Sequence, residues 1–597
     1  MSTMQAPLNA IPKTSATEQG TIAGDLLTKG SEALASGLYK ESLALLLEAF
    51  SVAPNNTDIQ AALFDVLSCT TGYTLPRHVT DAMADAAISD KQRQNTQALA
   101  MVLSNQSKNH AALNSFIELL ETTEPTEIMD DALQTEGESH LAGVLDDRLF
   151  LLVATKAIAI SPQIERFLTQ LRRHFLFEWS ADVTASTYFL DNFTNLLTVI
   201  SGQCFNTEYI YDVQEAEVSA IAALKASVLA NIRDAHVIDL AIIASYEPLW
   251  STLGSCDPED LNYLMTEAEK WPAWAQLIWK TQFLAPCQEA FLKQSLHTLS
   301  PVTDPFSNAI GAQYESYPYP RWQTTKLPAK ALSLRQHLES RFPQSALPAV
   351  TDTPAKILFA GCGTGEQVVQ MGLGLNAQNI LAMDLSTNSL AYASRKAQEH
   401  GMDNVHFGQG DILAVKDWDA SFDLIVCTGV LHHMRDPAAG LASLMKVSKD
   451  SSIFFLALYS ERARAAVIAS RALVTEHRIA DDIAGLRQFR ALIRSLPDDH
   501  PAKSVAACRE FYSASGLHDF IFNVHELRFT PLQVKDLLDA QGLRVIGLDV
   551  PRGEYIALYK EQFPDDPAMI NLENWDAFET DYSDVFDGMI QLWCCKD

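Results

Sequence analysis

From Ala355 onward the chain switches to a pattern that few folds can satisfy. KILFAGCG, NILAMDLS, NVHFGQGD, FDLIVCTG and SIFFLALYS are apolar runs of strand length, and helical segments separate most of them. Buried strands that alternate with helices are the signature of a doubly wound parallel sheet, an α/β fold whose ligand crevice lies beyond the carboxyl ends of the strands. Late in the chain LRVIGLDV and MIQLWCCK supply two more strands.

The preceding half reads differently. Residues from about Thr57 to His297 show apolar side chains at three- and four-residue spacing, as in IERFLTQLRRHFLFEW, LAGVLDDRLFLLVATKAIAI and FTNLLTVISGQCF, which predicts one helix after another. Ahead of them, Ile22 to Asn56 predicts a helix hairpin turning at Gly37. The register of Gly30, Ala33, Gly37, Tyr39, Ser42, Leu46, Ala49 and Pro54 in that hairpin resembles one tetratricopeptide unit. A lone unit cannot bury its own face, so the following helices must cap it or continue it in degenerate form. Residues 1–20 are polar and are expected to be disordered, and 21–299 to be all-helical. Between Leu299 and Gln323, SPVTDPFSNAIGAQYESYPYPRWQ carries four prolines and no helical period, so 300–325 reads as a linker or lid entering a catalytic unit at 326–597.

Composition narrows the partners. The 597 residues exceed what one core can serve. The formal net charge of -30 is shared by both halves, with 17 basic against 37 acidic residues before position 300. General nucleic-acid binding and attachment to anionic membranes are therefore disfavoured, and the excess of acid is read as solubility. Nine cysteines without a CxxC pair suit a reducing compartment. With no leader-like N-terminus and no long apolar run, the expected location is the cytoplasm.

The strongest local signal is ILFAGCGTG, where a strand runs into a turn with glycines at 361, 363 and 365. Such a turn lets a ligand approach backbone where a Cβ would clash, but alone it is weak evidence, because several nucleotide folds use one. Its context is more specific. The second strand ends in Asp384, where a carboxylate can accept from both hydroxyls of an adenosyl ribose, and GQGDIL puts Asp411 after the third strand, placed for an adenine amino group.

Together, GCGTG, the Asp-ending second strand, the GD pair and FDLIVCTGVLHHMRDP resemble class I S-adenosylmethionine-dependent methyltransferases over about Lys356 to Ser460. The resemblance implies a Rossmann-like fold of seven strands with an antiparallel last one, for which MIQLWCCK is the candidate. It also implies S-adenosyl-L-methionine as cofactor. It assigns Gly361, Gly363 and Gly365 to the methionine side, Asp384 to the ribose, Asp411 and Ile412 to the adenine, and adds Cys362, Leu385 and the loop from Thr428 to Leu431 as cofactor-binding. A dinucleotide-binding dehydrogenase fits less well, because Glu366 and Gln367 stand where its further glycine falls. The whole architecture resembles uncharacterised bacterial proteins that join tetratricopeptide-like helices to a methyltransferase through a YPYPRW-type segment.

An activated methyl group is transferred by in-line displacement, and a base is needed only when the nucleophile is protonated at neutral pH. His432 is the first candidate base and His433 a lesser one or a pocket wall, since both follow the fourth strand. Tyr319 is a second catalytic candidate. Tyr314, Tyr317, Arg321 and Trp322 belong to a lid over the cofactor or, equally, to a proline-stiffened linker. Residues 461–500 read as a helical insertion after the fifth strand, where acceptor specificity is built. His518, Asp519, His525 and Glu526 lie close in HDFIFNVHELRF, but without an HExxH or cysteine pairs no metal is expected. Three functions compete: methyl transfer to a small molecule, methylation of a protein recruited by the helical lobe, and a non-catalytic scaffold that keeps the cofactor fold. That lobe is also where a homo-oligomer or a protein partner is expected.

Overall fold

A computed structural model describes residues 16–35, 38–53 and 158–596 apart from 182, 326, 329 and 351, together with 155 and six positions between 56 and 66. Two compact units divide the chain, one of 1–282 with 323–327 and one of 283–322 with 328–597.

In the second unit an eight-stranded sheet has the order β1-β4-β3-β2-β5-β6-β8-β7. Its strands are β1 (His297–Thr298), β2 (Ala355–Ala360), β3 (Ala377–Asp384), β4 (Val405–Gln409), β5 (Phe422–Thr428), β6 (Ser448–Tyr459), β7 (Leu543–Asp549) and β8 (Met589–Lys596). β8 runs antiparallel to both neighbours, and the remaining pairs are parallel. The seven expected strands are thus present, MIQLWCCK is the antiparallel one, and a two-residue strand extends the β4 edge. From β2 the chain first winds outward through β3 and β4, then returns to β5 on the other side. The order reverses between β2 and β5, and a crevice opens at their carboxyl ends.

β2, AKILFA, is buried over five of its six residues, which explains why its sequence lacks alternation. Below the crevice Leu358, Ile425, Phe454 and Leu592 share one core with Trp575, Tyr559 and Phe578. Trp575 is fully buried, stacks on Tyr559 at 3.9 Å and donates to the Met569 carbonyl.

Two segments differ from the sequence reading. Sequence texture puts the boundary at 300, but the compact unit begins at Phe283, because β1 and the Ala285–Ser295 helix pack into it; Glu289 on that helix pairs with Arg395, 5% exposed, at 2.7 Å. The proline-rich stretch read as lacking helical period contains a helix, Pro305–Ser316. Asp304 caps it by accepting from the Ser307 N–H at 2.8 Å, and Pro305 occupies the first turn, where no N–H is needed. The insertion forms two helices, Ala465–His477 and Ile483–Ser495, then continues in short helical turns to Phe522.

In the first unit, helices Ala16–Ala35 and Tyr39–Val52 form the expected hairpin, but the first helix begins at Ala16, within the segment expected to be disordered. Gly30 lets Leu46 approach, since a Cβ there would lie 2.7 Å from its Cγ, and the buried Ser42 hydroxyl donates to the Gly30 carbonyl at 2.8 Å. Gly37, Pro54 and most positions where further repeats would fall lie outside the described residues. Helices Pro162–Ala181 and Val183–Asn206 match the later periodic runs. Among the described residues no helix is long and apolar enough to cross a membrane.

Trp575→Ala is expected to destabilise the sheet-bearing unit by about 3–5 kcal/mol through the cavity it leaves, measured by urea unfolding followed by tryptophan fluorescence and circular dichroism.

Candidate active site

β2 delivers the chain into the glycine turn at the crevice. Gly361 and Gly363 have φ of +82° and +52°. A Cβ at 361 would lie 2.4 Å from Val430 Cγ2, and one at 363 would lie 2.6 Å from the Tyr319 carbonyl oxygen, so only glycine lets these flanking segments close upon the turn. Gly365 sits one step back as the N-cap of the Glu366–Gly374 helix and does not face the crevice.

Asp384 ends β3 with its carboxylate across the turn. Oδ2 accepts from the Gly363 N–H at 2.8 Å and Oδ1 from the Ser386 N–H at 2.9 Å. Burial raises its pKa, against those N–H donors, which favour the charged form. Each oxygen keeps a lone pair for a further donor. Asp411 stands two residues past β4, where its Oδ1 accepts from the Leu413 N–H at 2.9 Å and its own N–H donates to Ser300 Oγ at 3.1 Å. From β5 the Thr428 hydroxyl donates to Gln367 Oε1 at 2.6 Å.

These groups line one cavity of about 540 Å³. Phe306, Ser307, Ile310 and Tyr314 reach it from the Pro305–Ser316 helix, Tyr319 and Pro320 from the segment that follows. Glu315 fastens this cover by accepting from Ser386 Oγ at 3.0 Å, Thr387 Oγ1 at 2.8 Å and the Asn388 N–H at 3.0 Å. On the far side the Tyr314 hydroxyl donates to Asp519 at 2.7 Å, and Gln313 accepts from the Val524 N–H at 2.8 Å. Trp322, 1% exposed, donates to the Thr364 carbonyl at 3.1 Å, while the Thr364 hydroxyl donates to the Pro320 carbonyl.

At the opposite end of the cavity from Asp411, the turn Leu431–His433 meets the end of β6 and Asp519 of the insertion. The two histidines are disposed differently. His432 is fully buried, stacks on Tyr459 at 3.7 Å and accepts the Tyr459 N–H on Nδ1 at 3.2 Å; it does not line the cavity. His433 lines it, with Nδ1 donating to the His525 carbonyl at 2.7 Å. Burial lowers the pKa of both rings. The geometry therefore moves the candidate base from His432 to His433.

Of the residues proposed from sequence, Gly361, Cys362, Gly363, Asp384, Leu385, Asp411, Ile412, Thr428, His433, Tyr314 and Tyr319 line the cavity. Gly365, Leu431, Tyr317, Arg321 and Trp322 do not. Leu431 is a core residue, Tyr317 stacks on His518 at 4.2 Å, and the Arg321 guanidinium lies 5.9 Å from the Tyr392 ring centre rather than toward a ligand carboxylate. Sequence reasoning missed Tyr459 and Phe306, and it met Asp519 only while weighing a metal site. Among the described residues no group of three histidine, cysteine or carboxylate side chains could hold a metal ion.

A family model described as a methyltransferase domain matches residues 352–486. An uncharacterized protein of Synechococcus sp. is 31% identical over 198 residues, which cover 32% of this chain and 48% of that protein. The ubiquinone biosynthesis O-methyltransferase of Paracidovorax citrulli is 24% identical, over 26% of this chain and 61% of its own length. PKMT2 from Rickettsia typhi, solved in complex with AdoHcy, is 17% identical with a TM-score of 0.35, covering 45% of this chain and 55% of its own. The chain thus spans about half to three fifths of the length of these two curated relatives. Taken with the strand order, the match over residues 352–486 means that the chain carries a class I S-adenosylmethionine-dependent methyltransferase domain.

Proposed function

We propose that the chain transfers the methyl group of S-adenosylmethionine to a small-molecule acceptor. The observation that carries this reading is the covered cavity, which runs from Asp384 and Asp411 past the glycine turn to His433, Tyr459 and Asp519. The residues present fit the cofactor. The turn at 361–363 offers bare backbone where the methionine part would lie, and Asp384 has spare lone pairs for two ribose hydroxyls. Asp411 with Ile412 suits an adenine edge and face. Bound there, the cofactor supplies a methyl group already activated on a sulfonium, so positioning and exclusion of water provide most of the acceleration.

This chain's own contribution is the cover. Phe306, Ile310, Tyr314 and Tyr319 shield the crevice, and the clasps at Glu315 and Tyr314 hold them on both sides. A partly covered cavity whose exposed surface is mostly apolar, with carboxylates set among its walls, suits a small ligand better than a polypeptide segment. The Paracidovorax citrulli relative is by name an O-methyltransferase of ubiquinone biosynthesis, which agrees with a small acceptor.

The full chain incubated with methyl-labelled cofactor and cell extract is expected to place label in small molecules; label confined to polypeptides overturns the acceptor assignment. Asp384→Ala should weaken binding of S-adenosylhomocysteine in calorimetry by about 1.5–3 kcal/mol, the value of charge-assisted hydrogen bonds to the ribose. Unchanged affinity, or a preference for a nicotinamide dinucleotide, defeats the cofactor site described above. Gly363→Ala should cost at least about tenfold in the same titration, because its Cβ meets the Tyr319 carbonyl. Gly401→Ala is the control, having positive φ but nothing within 4 Å of its Cβ, and should leave affinity unchanged.

A further inference from the structure

Resting on the methyl-transfer reading, we propose that His433 takes the proton from the acceptor. We further propose that the acceptor is uncharged or cationic and carries that proton on its attacking oxygen or nitrogen, as a hydroxyl or an amine does and a carboxylate does not.

The orientation of the ring carries the first half. A carbonyl can only accept, so the 2.7 Å contact of His433 Nδ1 with the His525 carbonyl fixes the proton on Nδ1 and leaves the lone pair on Nε2 as the basic atom of a cavity-lining side chain. The ring is held edge-on to Tyr459 at 5.6 Å and to Tyr314 at 6.2 Å. His432 shows the opposite arrangement. Its Nδ1 lone pair is consumed by the Tyr459 N–H, and its Nε2 is buried among groups that offer it no partner. Of the two adjacent histidines, only His433 lines the cavity, and with its proton on Nδ1 its basic atom is Nε2.

The charge of the wall carries the second half. Asp304, Glu366, Asp384, Asp411, Asp436 and Asp519 line the cavity, with Arg435 as the basic residue among the described lining. A carboxylate or phosphate acceptor would enter against that field, whereas a neutral or positive one would not. Asp519 sits at the His433 end, where it receives the Tyr314 hydroxyl at 2.7 Å, Asn523 Nδ2 at 3.3 Å and the Tyr459 hydroxyl at 3.5 Å. It is the counter-charge for an imidazolium. The acceptor's lone pair forms the bond to the methyl carbon while the methyl–sulfur bond breaks, its electron pair remaining on sulfur as a neutral thioether. The acceptor proton passes to Nε2, giving the imidazolium, which then releases it to solvent.

Burial holds the His433 pKa below the ordinary histidine value. Asp519, the His525 carbonyl and Glu526 oppose that shift, and Arg464 adds to it. Glu526 is itself paired with Arg464, whose guanidinium lies 3.8 Å from the Tyr459 ring centre. A lowered pKa keeps the base neutral and competent as pH falls toward 6.5, so activity should decline only on the acid side of that value.

The test uses the full chain, methyl-labelled cofactor and the small-molecule fraction of a cell extract. Label is expected in a product that withstands mild alkali, as ethers and methylamines do, and mass spectrometry separates the two. His433→Ala should lower kcat/KM at least about 100-fold, abolish the acid limb of its pH profile, and leave S-adenosylhomocysteine affinity within about threefold. Asp519→Asn should shift the acid limb to lower pH, and it decides the matter should the alanine variant fail to bind cofactor. Label released by alkali as methanol marks a carboxylate acceptor and overturns the proposal. So does a His433→Ala enzyme within about threefold of wild type with its acid limb intact, or an unmoved limb in Asp519→Asn. Absence of label from every fraction, with S-adenosylhomocysteine still bound, sinks the methyl-transfer reading and this proposal with it.

Discussion

The hydrogen bond from the Gly363 N–H to the Asp384 carboxylate ties together the ends of the neighbouring strands β2 and β3. β2 must end in a turn with no side chains in the way, and β3 must end in a carboxylate at the same height, or the floor of the cavity does not exist. Everything placed around the crevice is referred to this junction. Val430 packs on Gly361, Tyr319 packs on Gly363, and the Thr387–Glu399 helix starts directly after Ser386, which also donates to Asp384. A buried carboxylate is costly unless hydrogen-bonded, so the backbone donors that orient Asp384 also make its charge tolerable. The floor of the cavity and the fold are built from the same two N–H groups.

Much of this arrangement is legible in the sequence. Buried strands announce themselves as apolar runs, which locates seven strands and the glycine turn between Ala360 and Glu366. Asp384 can be assigned because strand length and the polar residue at its end are local facts. The Pro305–Ser316 helix is harder to recognise, because its prolines suggest a broken chain, yet Asp304 and Pro305 are a cap and a first-turn residue and can be read as such. His432 and His433 are adjacent in sequence, and which ring faces the cavity depends on one turn of backbone at 431–433 that no spacing rule resolves. Asp519 lies far from His433 along the chain. Its meeting with Tyr314 and Tyr459 is a tertiary fact, and locally it looks like part of a metal cluster.

The acidic composition also changes meaning once placed. A net charge of -30 reads as solubility when spread over a sequence. Six of those carboxylates, however, line one cavity, and the more buried of them, Asp411 and Asp519, act there through a lower dielectric than the exposed Asp436 does. Composition limits the partners of the outer surface, whereas the cavity wall limits its own ligand, and the two constraints share residues without sharing a conclusion.

Ser386 belongs to two grips at once. Its N–H holds the carboxylate of Asp384, and its one hydroxyl proton is shared between the Tyr314 carbonyl and Glu315 on the cover. Roof and floor of the chamber are therefore pinned through a single residue. Displacing the Pro305–Ser316 helix along this edge would strip the Ser386 hydroxyl of its acceptors right beside the N–H that holds Asp384, so cover and floor are mechanically joined, like a door whose hinge is set into the hearth.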